Sequence, residues 1–394
     1  MAPPDDRLHP DTTLARAGVD GDGSAPAIEP ASTFRARDLR ELRARATQPR
    51  ERRFYTRYGN PTHAAAEAII AELERAEAAK LLASGMAAIT TAVLALCPPG
   101  GRIVAQTVQY GGALAFLQRM APRFGAEVTF VDQARTAELV AAIDDRTALV
   151  LLETPSNPLL AITDLRAVSA AARRHGARVL VDNTLATPVN QRPLELGADL
   201  VVHSATKYLG GHSDLVAGAL AGAADLIDEV WQLSVMLGGV LGPFDAWLLQ
   251  RGLRTLGVRV ARQNATAQQL AELLAADPRV AAVHYPGLAS HPQHALAARQ
   301  MDGFGGVLSF ELRAGADGVA AFLERLRLFD LAPSLGGVHS LVVPPGAMLA
   351  GVLDEEALAA GGARPGLIRI AVGLEHPDDL ADDLRRALAA PELG

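Results

Sequence analysis

Between about residue 58 and residue 255 the chain alternates helical periodicity with short apolar runs, and this alternation restricts its fold more than any other feature of the 394 residues. Apolar spacing predicts helices over 63–80, 85–96, 111–123, 136–143 and 164–175, and runs rich in Val, Ile, Leu and Ala predict strands over 102–106, 127–131, 147–152, 178–182, 199–203 and 216–221. A strand that returns to its sheet through a helix lies parallel to its predecessor, so the pattern requires a mostly parallel α/β sheet covered by helices. Ligands in such sheets sit beyond the carboxyl ends of the strands. That is where Glu153-Thr154-Pro155, Asp182-Asn183-Thr184 and Ser204-Ala205-Thr206-Lys207 fall.

A long helical stretch, 243–276, leads into strands near 280–284, 305–312 and 367–372 and helices near 317–327 and 377–389, which read as a smaller C-terminal α/β domain. Residues 1–57 carry Pro, Gly and charge with one helical stretch near 36–46, so they read as an extended arm. The expected division is an arm over 1–57, a large domain over 58–255 and a C-terminal domain over 256–394. Gly and Pro cluster at 333–346 and 361–366, where mobile loops are expected.

Composition narrows the function classes. With 49% hydrophobic and 21% charged residues there is ample material for a large core, yet no run approaches the roughly 18 apolar residues of a membrane span. The N-terminus lacks a charged head followed by an apolar stretch, so neither export nor anchoring is expected. The net charge of −7 includes no long run of one sign, and the Arg-rich stretch 35–53 is broken by Asp38 and Glu41, which argues against a nucleic-acid partner. Cys97, the single cysteine, cannot form an internal disulfide; its apolar neighbours favour a buried thiol, consistent with a reducing cytoplasmic setting. No metal site is expected: His284, His291 and His294 have no carboxylate pair beside them, and solvent-facing histidines are the expectation.

The chemistry concentrates at Lys207, which closes an apolar run (199–207) about 25 residues after Val-Leu-Val-Asp-Asn-Thr (179–184). A lysine after a strand, hydroxyls at Ser204 and Thr206 and an acid at the preceding strand end suit pyridoxal phosphate, which needs an imine partner, phosphate anchors and a carboxylate at its ring nitrogen. Asp182 would hold that ring protonated, although an Asp at a strand end also serves as an ordinary turn cap. Ala83-Ser84-Gly85-Met86 precedes an apolar helical run, so the N–H groups of Gly85 and Met86 could meet a phosphate; Ser-Gly there also reads as a plain helix cap. Tyr55 and Arg57 lie two residues apart ahead of the turn at Asn60-Pro61, and a phenol and guanidinium so placed could share one phosphate or simply mark a helix entry. Tyr110 precedes Gly111-Gly112, where its ring could lie on a cofactor and its hydroxyl act on substrate, or form a surface turn.

In order along the chain, these blocks resemble the pyridoxal phosphate enzymes of cysteine and methionine metabolism, the cystathionine γ-synthase, cystathionine γ-lyase and methionine γ-lyase family. The similarity runs from about residue 50 to the C-terminus, through Tyr-Thr-Arg-Tyr-Gly-Asn-Pro-Thr (55–62), Ser-Gly-Met-Ala-Ala (84–88), Tyr110-Gly111-Gly112, Glu153-Thr154-Pro155-Ser156-Asn157-Pro158, Val-Asp-Asn-Thr (181–184), Ser-Ala-Thr-Lys (204–207), Ser334-Leu335-Gly336-Gly337 and the block from Leu367 through Arg369 to Glu375. The resemblance implies a fold-type I pyridoxal phosphate transferase architecture. Lys207 forms the internal aldimine, Asp182 meets the pyridine nitrogen, Tyr110 stacks on the ring, and Gly85, Met86, Ser204 and Thr206 bind the phosphate. It further implies that Tyr55 and Arg57 reach the phosphate of a neighbouring subunit in a homotetramer of two catalytic dimers, that Asn157 lies near the cofactor O3′ and the substrate, that Ser334 borders the substrate and that Arg369 grips its α-carboxylate. The implied activity is γ-elimination or γ-replacement on a γ-substituted amino acid, through quinonoid and ketimine intermediates.

Two departures bear on the substrate. The family usually has Glu where this chain has His339, and its polar Ala-Ser-Met-Thr-His loop has become Gly346-Ala347-Met348-Leu349-Ala350. The leaving-group preference is therefore expected to differ, and a specialised substrate such as a homoserine ester or halogenated amino acid enters the range. β-Elimination is the alternative chemistry. A noncatalytic nucleotide-binding sheet is more remote, since no Gly-X-Gly-X-X-Gly follows a strand and no Gly-Lys-Ser/Thr loop occurs.

Overall fold

The structure is a computed structural model that describes residues 9–17, 24–349, 351 and 362–393. Its larger sheet, apart from the half-exposed edge strand Glu127–Val131, is built from runs whose side chains are buried on both faces, the signature of strands covered by helices on either side. Along the chain these are β1 (Ala78–Leu82), β2 (Arg102–Gln106), β3 (Glu127–Val131), β4 (Thr147–Glu153), β5 (Arg178–Asp182), β6 (Leu200–His203) and β7 (Gly218–Gly222), arranged β1-β7-β6-β5-β4-β2-β3. β7 runs antiparallel to both neighbours, while β6, β5, β4, β2 and β3 are mutually parallel. The strand order reverses between β2 and β4, because the chain steps outward to β3 and then returns past β2. A crevice opens at the carboxyl ends of strands at such a reversal, here at Gln106 and Glu153.

Local chemistry sets the helix starts around this rim. The Asn60 side chain accepts the Thr62 N–H and Pro61 occupies the first turn of α3 (Pro61–Glu74), where its missing donor costs nothing. The Ser84 hydroxyl accepts the Ala87 N–H at the start of α4 (Gly85–Leu96). α5 (Gly111–Arg119) begins directly after Tyr110.

Several boundaries differ from the expectation. The helix expected over 63–80 stops at Glu74, where Arg75 adopts a left-handed conformation (φ 58°), and residues 78–82 become β1. The alanine-rich run favours helix locally, but pairing with β7 buries Ala78–Leu82 in the sheet, and that tertiary contact prevails. The helix expected over 111–123 ends at Arg119 and a 3-10 turn follows, since Pro122 cannot donate to a helical ladder. The stretch 243–276 divides into α10 (Pro243–Leu253) and α11 (Leu256–Ala275). Two further helices, Pro10–Arg16 in the arm and Ala224–Leu237 after β7, had no counterpart in the expectation.

The second sheet has five strands in the order β10 (Asp330–Leu331), β11 (Leu341–Val343), β12 (Leu367–Ala371), β9 (Val307–Leu312) and β8 (Val280–His284). β11 lies inside the expected mobile loop 333–346, yet all three of its residues are buried, because pairing with β12 satisfies their backbone. α11 ties this sheet to the Lys207 segment. Arg259 Nη1 donates to the Tyr208 carbonyl (2.8 Å), and Gln263 Nε2 donates to the carbonyls of Gly337 (2.8 Å) and Val372 (3.1 Å). Gly336 (φ 76°) packs so closely that a Cβ there would lie 2.7 Å from the Tyr208 nitrogen, so the loop holding Ser334 rests directly on the chain that follows Lys207. Among the described residues no helix is long and apolar enough to cross a membrane, and no cluster of three metal-ligating side chains occurs.

Candidate active site

A cavity of about 250 Å³ opens at the carboxyl rim of the larger sheet, and its lining draws on residues far apart in sequence: Ser84, Gly85 and Met86, then Tyr110, then Glu153 and Asn157, then Asp182 and Thr184, then Ser204, Thr206 and Lys207. Ile89, Leu185, Val216 and Leu335 supply its apolar walls. One side is the start of α4. The Ala87 N–H is taken by the Ser84 hydroxyl and the Ala88 N–H by the Ser84 carbonyl (3.0 Å each), whereas helix geometry provides no intrahelical acceptor for Gly85 and Met86. Such an end attracts an anion. A side chain at Gly85 would meet Ser204, its Cβ lying 2.8 Å from Ser204 Cβ, so the cradle requires glycine. Thr184 connects two strand ends: its hydroxyl accepts the Ser204 N–H (2.8 Å), and its own N–H donates to Asp182 Oδ1 (2.9 Å).

The ionisable groups of this pocket are largely buried, and burial is the main influence on each. Burial, reinforced by the Arg369 guanidinium, lowers Lys207 to about 8, so its amine sheds its proton far more readily than that of an exposed lysine. Lys207 Nζ donates to Ser334 Oγ at 2.7 Å, and Ser334 holds an uncommon backbone conformation (φ 101°). Burial raises Asp182, opposed by its bonds to Thr184 and by nearby His203. Asp182 and Glu153 are register partners on β5 and β4. Burial, then the Asp182 charge, pushes Glu153 up, against the pull of its N–H donors Tyr110 and Asn157.

Arg369 projects from β12 and is almost fully buried. Its Nη1 donates to Asn157 Oδ1 (3.0 Å), its Nη2 to the Ser334 carbonyl (2.8 Å), and its buried Nε has no partner among the described residues. A buried guanidinium donor pairs well with a carboxylate.

An aldehyde cofactor with a phosphate tail fits these residues: an amine of lowered basicity, a carboxylate 25 residues earlier on the adjacent strand and an anion-binding helix end share one cavity. The structure thus brings together Lys207, Asp182, Tyr110, Gly85, Met86, Asn157, Ser204 and Thr206. Ser334 and Arg369 lie just behind the lining, reached through Lys207 and Asn157. His339 lies on the same loop as Ser334; a Cβ on Gly337 would sit 3.7 Å from the His339 ring and 2.9 Å from Ser213 Oγ. Residues 346–349 fall in a short helix, Pro345–Leu349, and Ala350 lies outside the described residues.

Tyr55 and Arg57 are not in this chain's cavity. Both are exposed, and Arg57 Nη1 donates to the Val235 carbonyl (2.8 Å) while its guanidinium lies 5.5 Å and 5.4 Å from the ring centres of Tyr55 and Tyr58. The histidines near 284–294 are not solvent-facing as expected. His291 is buried, His284 Nε2 lies 2.9 Å from Glu311 Oε1, and His294 Nδ1 lies 2.8 Å from the Pro286 carbonyl. Cys97 is buried, and burial raises its thiol. Glu153 and Thr184 belong to sequence motifs that assign neither a task; a carboxylate ending an otherwise apolar strand is the available signal for the first.

The family profile described as Cys/Met metabolism PLP-dependent enzyme matches residues 11–389. A chloroplastic cystathionine γ-synthase of Arabidopsis thaliana is 44% identical over 85% of this chain, which spans 60% of that relative's length. A cystathionine β-lyase of Lactococcus lactis is also 44% identical, over 86% of this chain and 89% of its own. Among solved structures, cystathionine γ-synthase of Xanthomonas oryzae in complex with cystathionine superposes with a TM-score of 0.93 at 41% identity, covering 98% of each chain.

Proposed function

The chain belongs to the Cys/Met metabolism pyridoxal phosphate-dependent enzyme family, and from that premise we propose that it catalyses γ-elimination or γ-replacement on a γ-substituted amino acid. The observation that carries this reading is the Lys207 amine, lowered to about 8 in the same cavity as Asp182 and the α4 N-terminus. Pyridoxal phosphate, when bound, supplies an aldehyde for imine exchange and a protonated ring that absorbs the electron pair left by a lost Cα proton. Lys207 is the residue that holds it covalently. Gly85, Met86, Ser204 and Thr206 take the phosphate, and Asp182 keeps the ring nitrogen protonated.

Arg369 binds the substrate α-carboxylate through its unpartnered Nε, while Asn157 and Ser334 fix the guanidinium by their oxygens. The released Lys207 amine, within 2.7 Å of the Ser334 hydroxyl, would take the Cα proton, give it up at the cofactor's C4′ and, free again, take one from Cβ. The group on Cγ then leaves with its bonding pair, and Tyr110 serves as acid or base at that carbon. Addition of a nucleophile at Cγ gives replacement; hydrolysis gives a 2-oxo acid and ammonia. Tyr55 and Arg57, exposed and away from their own cavity, complete the site of a neighbouring subunit within a homotetramer of two catalytic dimers. His339, on the loop that carries Ser334, sets the preference for the substrate's distal end.

Mass-spectrometric product analysis with O-acyl-homoserines, cystathionine, homocysteine, methionine and a γ-halogenated amino acid, with and without an added thiol, tests the proposal. Thiol-dependent product indicates replacement and 2-oxobutyrate without thiol indicates elimination. Pyruvate from cystathionine, with neither of these, would overturn the γ reading in favour of β-elimination, for which the same carbanion expels sulfur directly from Cβ.

A further inference from the structure

Glu153 ends β4 beside the strand-order reversal, is buried, and uses both carboxylate oxygens on backbone donors from two different loops. Oε2 accepts the Tyr110 N–H at 2.7 Å, and Oε1 accepts the Asn157 N–H at 2.6 Å. Its own backbone is held as well, since its N–H donates to Gln106 Oε1 (2.6 Å), and Gln106 Nε2 donates to Thr163 Oγ1 (2.6 Å). Gln106 is the last residue of β2, so one side chain bridges the ends of the two neighbouring strands at which the order reverses. Tyr110 closes one loop at the start of α5, and the other carries Asn157, whose Oδ1 holds Arg369. No other described side chain bonds to both loops through these N–H groups.

From this geometry we infer that Glu153 is a positioning residue, a two-pronged carboxylate clamp that sets the spacing between the aromatic wall at Tyr110 and the substrate-carboxylate arm formed by Asn157 and Arg369. The inference rests on the reading of this cavity as the cofactor and substrate site. A neutral amide in the same place offers one good acceptor and turns an N–H donor toward one of the two loops, so only one prong survives. With both oxygens accepting N–H donors, the ionised form is the one the two loops hold, and these donors oppose the burial and the Asp182 charge that favour its proton; charge-assisted hydrogen bonds are short and about twice as strong as neutral ones.

The test uses Glu153→Gln in the cofactor-loaded enzyme, with cofactor binding measured first. Loss of one clamp bond and a shift of the arm by a fraction of an ångström is expected to raise KM for the amino acid by about ten- to a hundredfold and to alter the visible circular dichroism of the bound cofactor. Asn157→Ala added to Glu153→Gln is expected to raise KM by much less than it does in the wild-type background, because both changes disable one arm. Unchanged dichroism and KM with cofactor fully bound would overturn the inference, as would full additivity of the two substitutions. If the variant does not fold, hydrogen exchange of the wild-type holoenzyme decides: strong protection of the Tyr110 and Asn157 amides is expected, and exchange at the rate of free loop amides would refute the clamp. A protein that binds no cofactor at all would defeat the proposed function itself, an outcome distinct from these.

Discussion

Replacing Lys207 by Met in the cofactor-free protein should stabilise it, and the gain should vanish as the pH rises. The native state holds the Lys207 amine at about 8 against 10.5 in the unfolded chain, so between those values the unfolded state binds more protons and stability climbs with pH. Below about pH 8 the full penalty of burying the charge is present, about 3 kcal/mol at 1.36 kcal/mol per pKa unit. Methionine fills a similar volume without charge, but it forfeits the bond from Nζ to Ser334 Oγ (2.7 Å), a loss of about 1 kcal/mol. The variant should therefore exceed the wild type by about 2 kcal/mol at pH 7 and fall behind it by about 1 kcal/mol above pH 10.5. Urea unfolding of both apo-proteins from pH 6 to pH 11 measures the difference. A difference that stays constant over this range would refute the claim that the pocket depresses this amine.

Other perturbations test separate parts of the site. Gly85→Ala forces a Cβ to within 2.8 Å of Ser204 Cβ, so thermal unfolding of the holoenzyme should show a loss of about 1–3 kcal/mol together with weaker cofactor binding; an unchanged cofactor Kd would argue against the α4 N-terminus as phosphate site. His339→Glu should change the ratio of kcat/KM between cystathionine and an O-acyl-homoserine by up to about fivefold, the scale of a partly exposed ion pair, and an unaltered preference order would remove His339 from substrate selection. Arg57→Ala and Lys207→Ala homomers should both be inactive, yet co-refolding them in equal amounts should restore about a quarter of wild-type activity, since half the dimers are mixed and each has one intact site. Absence of complementation would mean that Arg57 does not act across subunits.

The residues that carry strand-end chemistry were legible because burial writes them plainly: an apolar run that stops at Asp182 or Lys207 leaves a charged group at the rim of a sheet, and small residues at 84–86 precede an apolar helix. Spacing also located β2, β3 and β5 in full. Pairing was not legible. Ala78–Leu82 carries the composition of a helix, and only contact with β7 makes it β1. β11 is three residues long, too short for a period to register among glycines and prolines. Glu153 escaped for a related reason: its significance lies in bonds to Tyr110 and Asn157, 43 residues before it and four after. Arg369 was visible through family resemblance, but its unpartnered Nε and its hold on Asn157 belong to the packing of the second sheet against the first.

The proposed chemistry requires Lys207 to carry the cofactor. Borohydride reduction of the purified holoenzyme, followed by proteolysis and mass spectrometry, should place a phosphopyridoxyl group on Lys207 at near-stoichiometric yield. Label on another lysine, or on none, would contradict it.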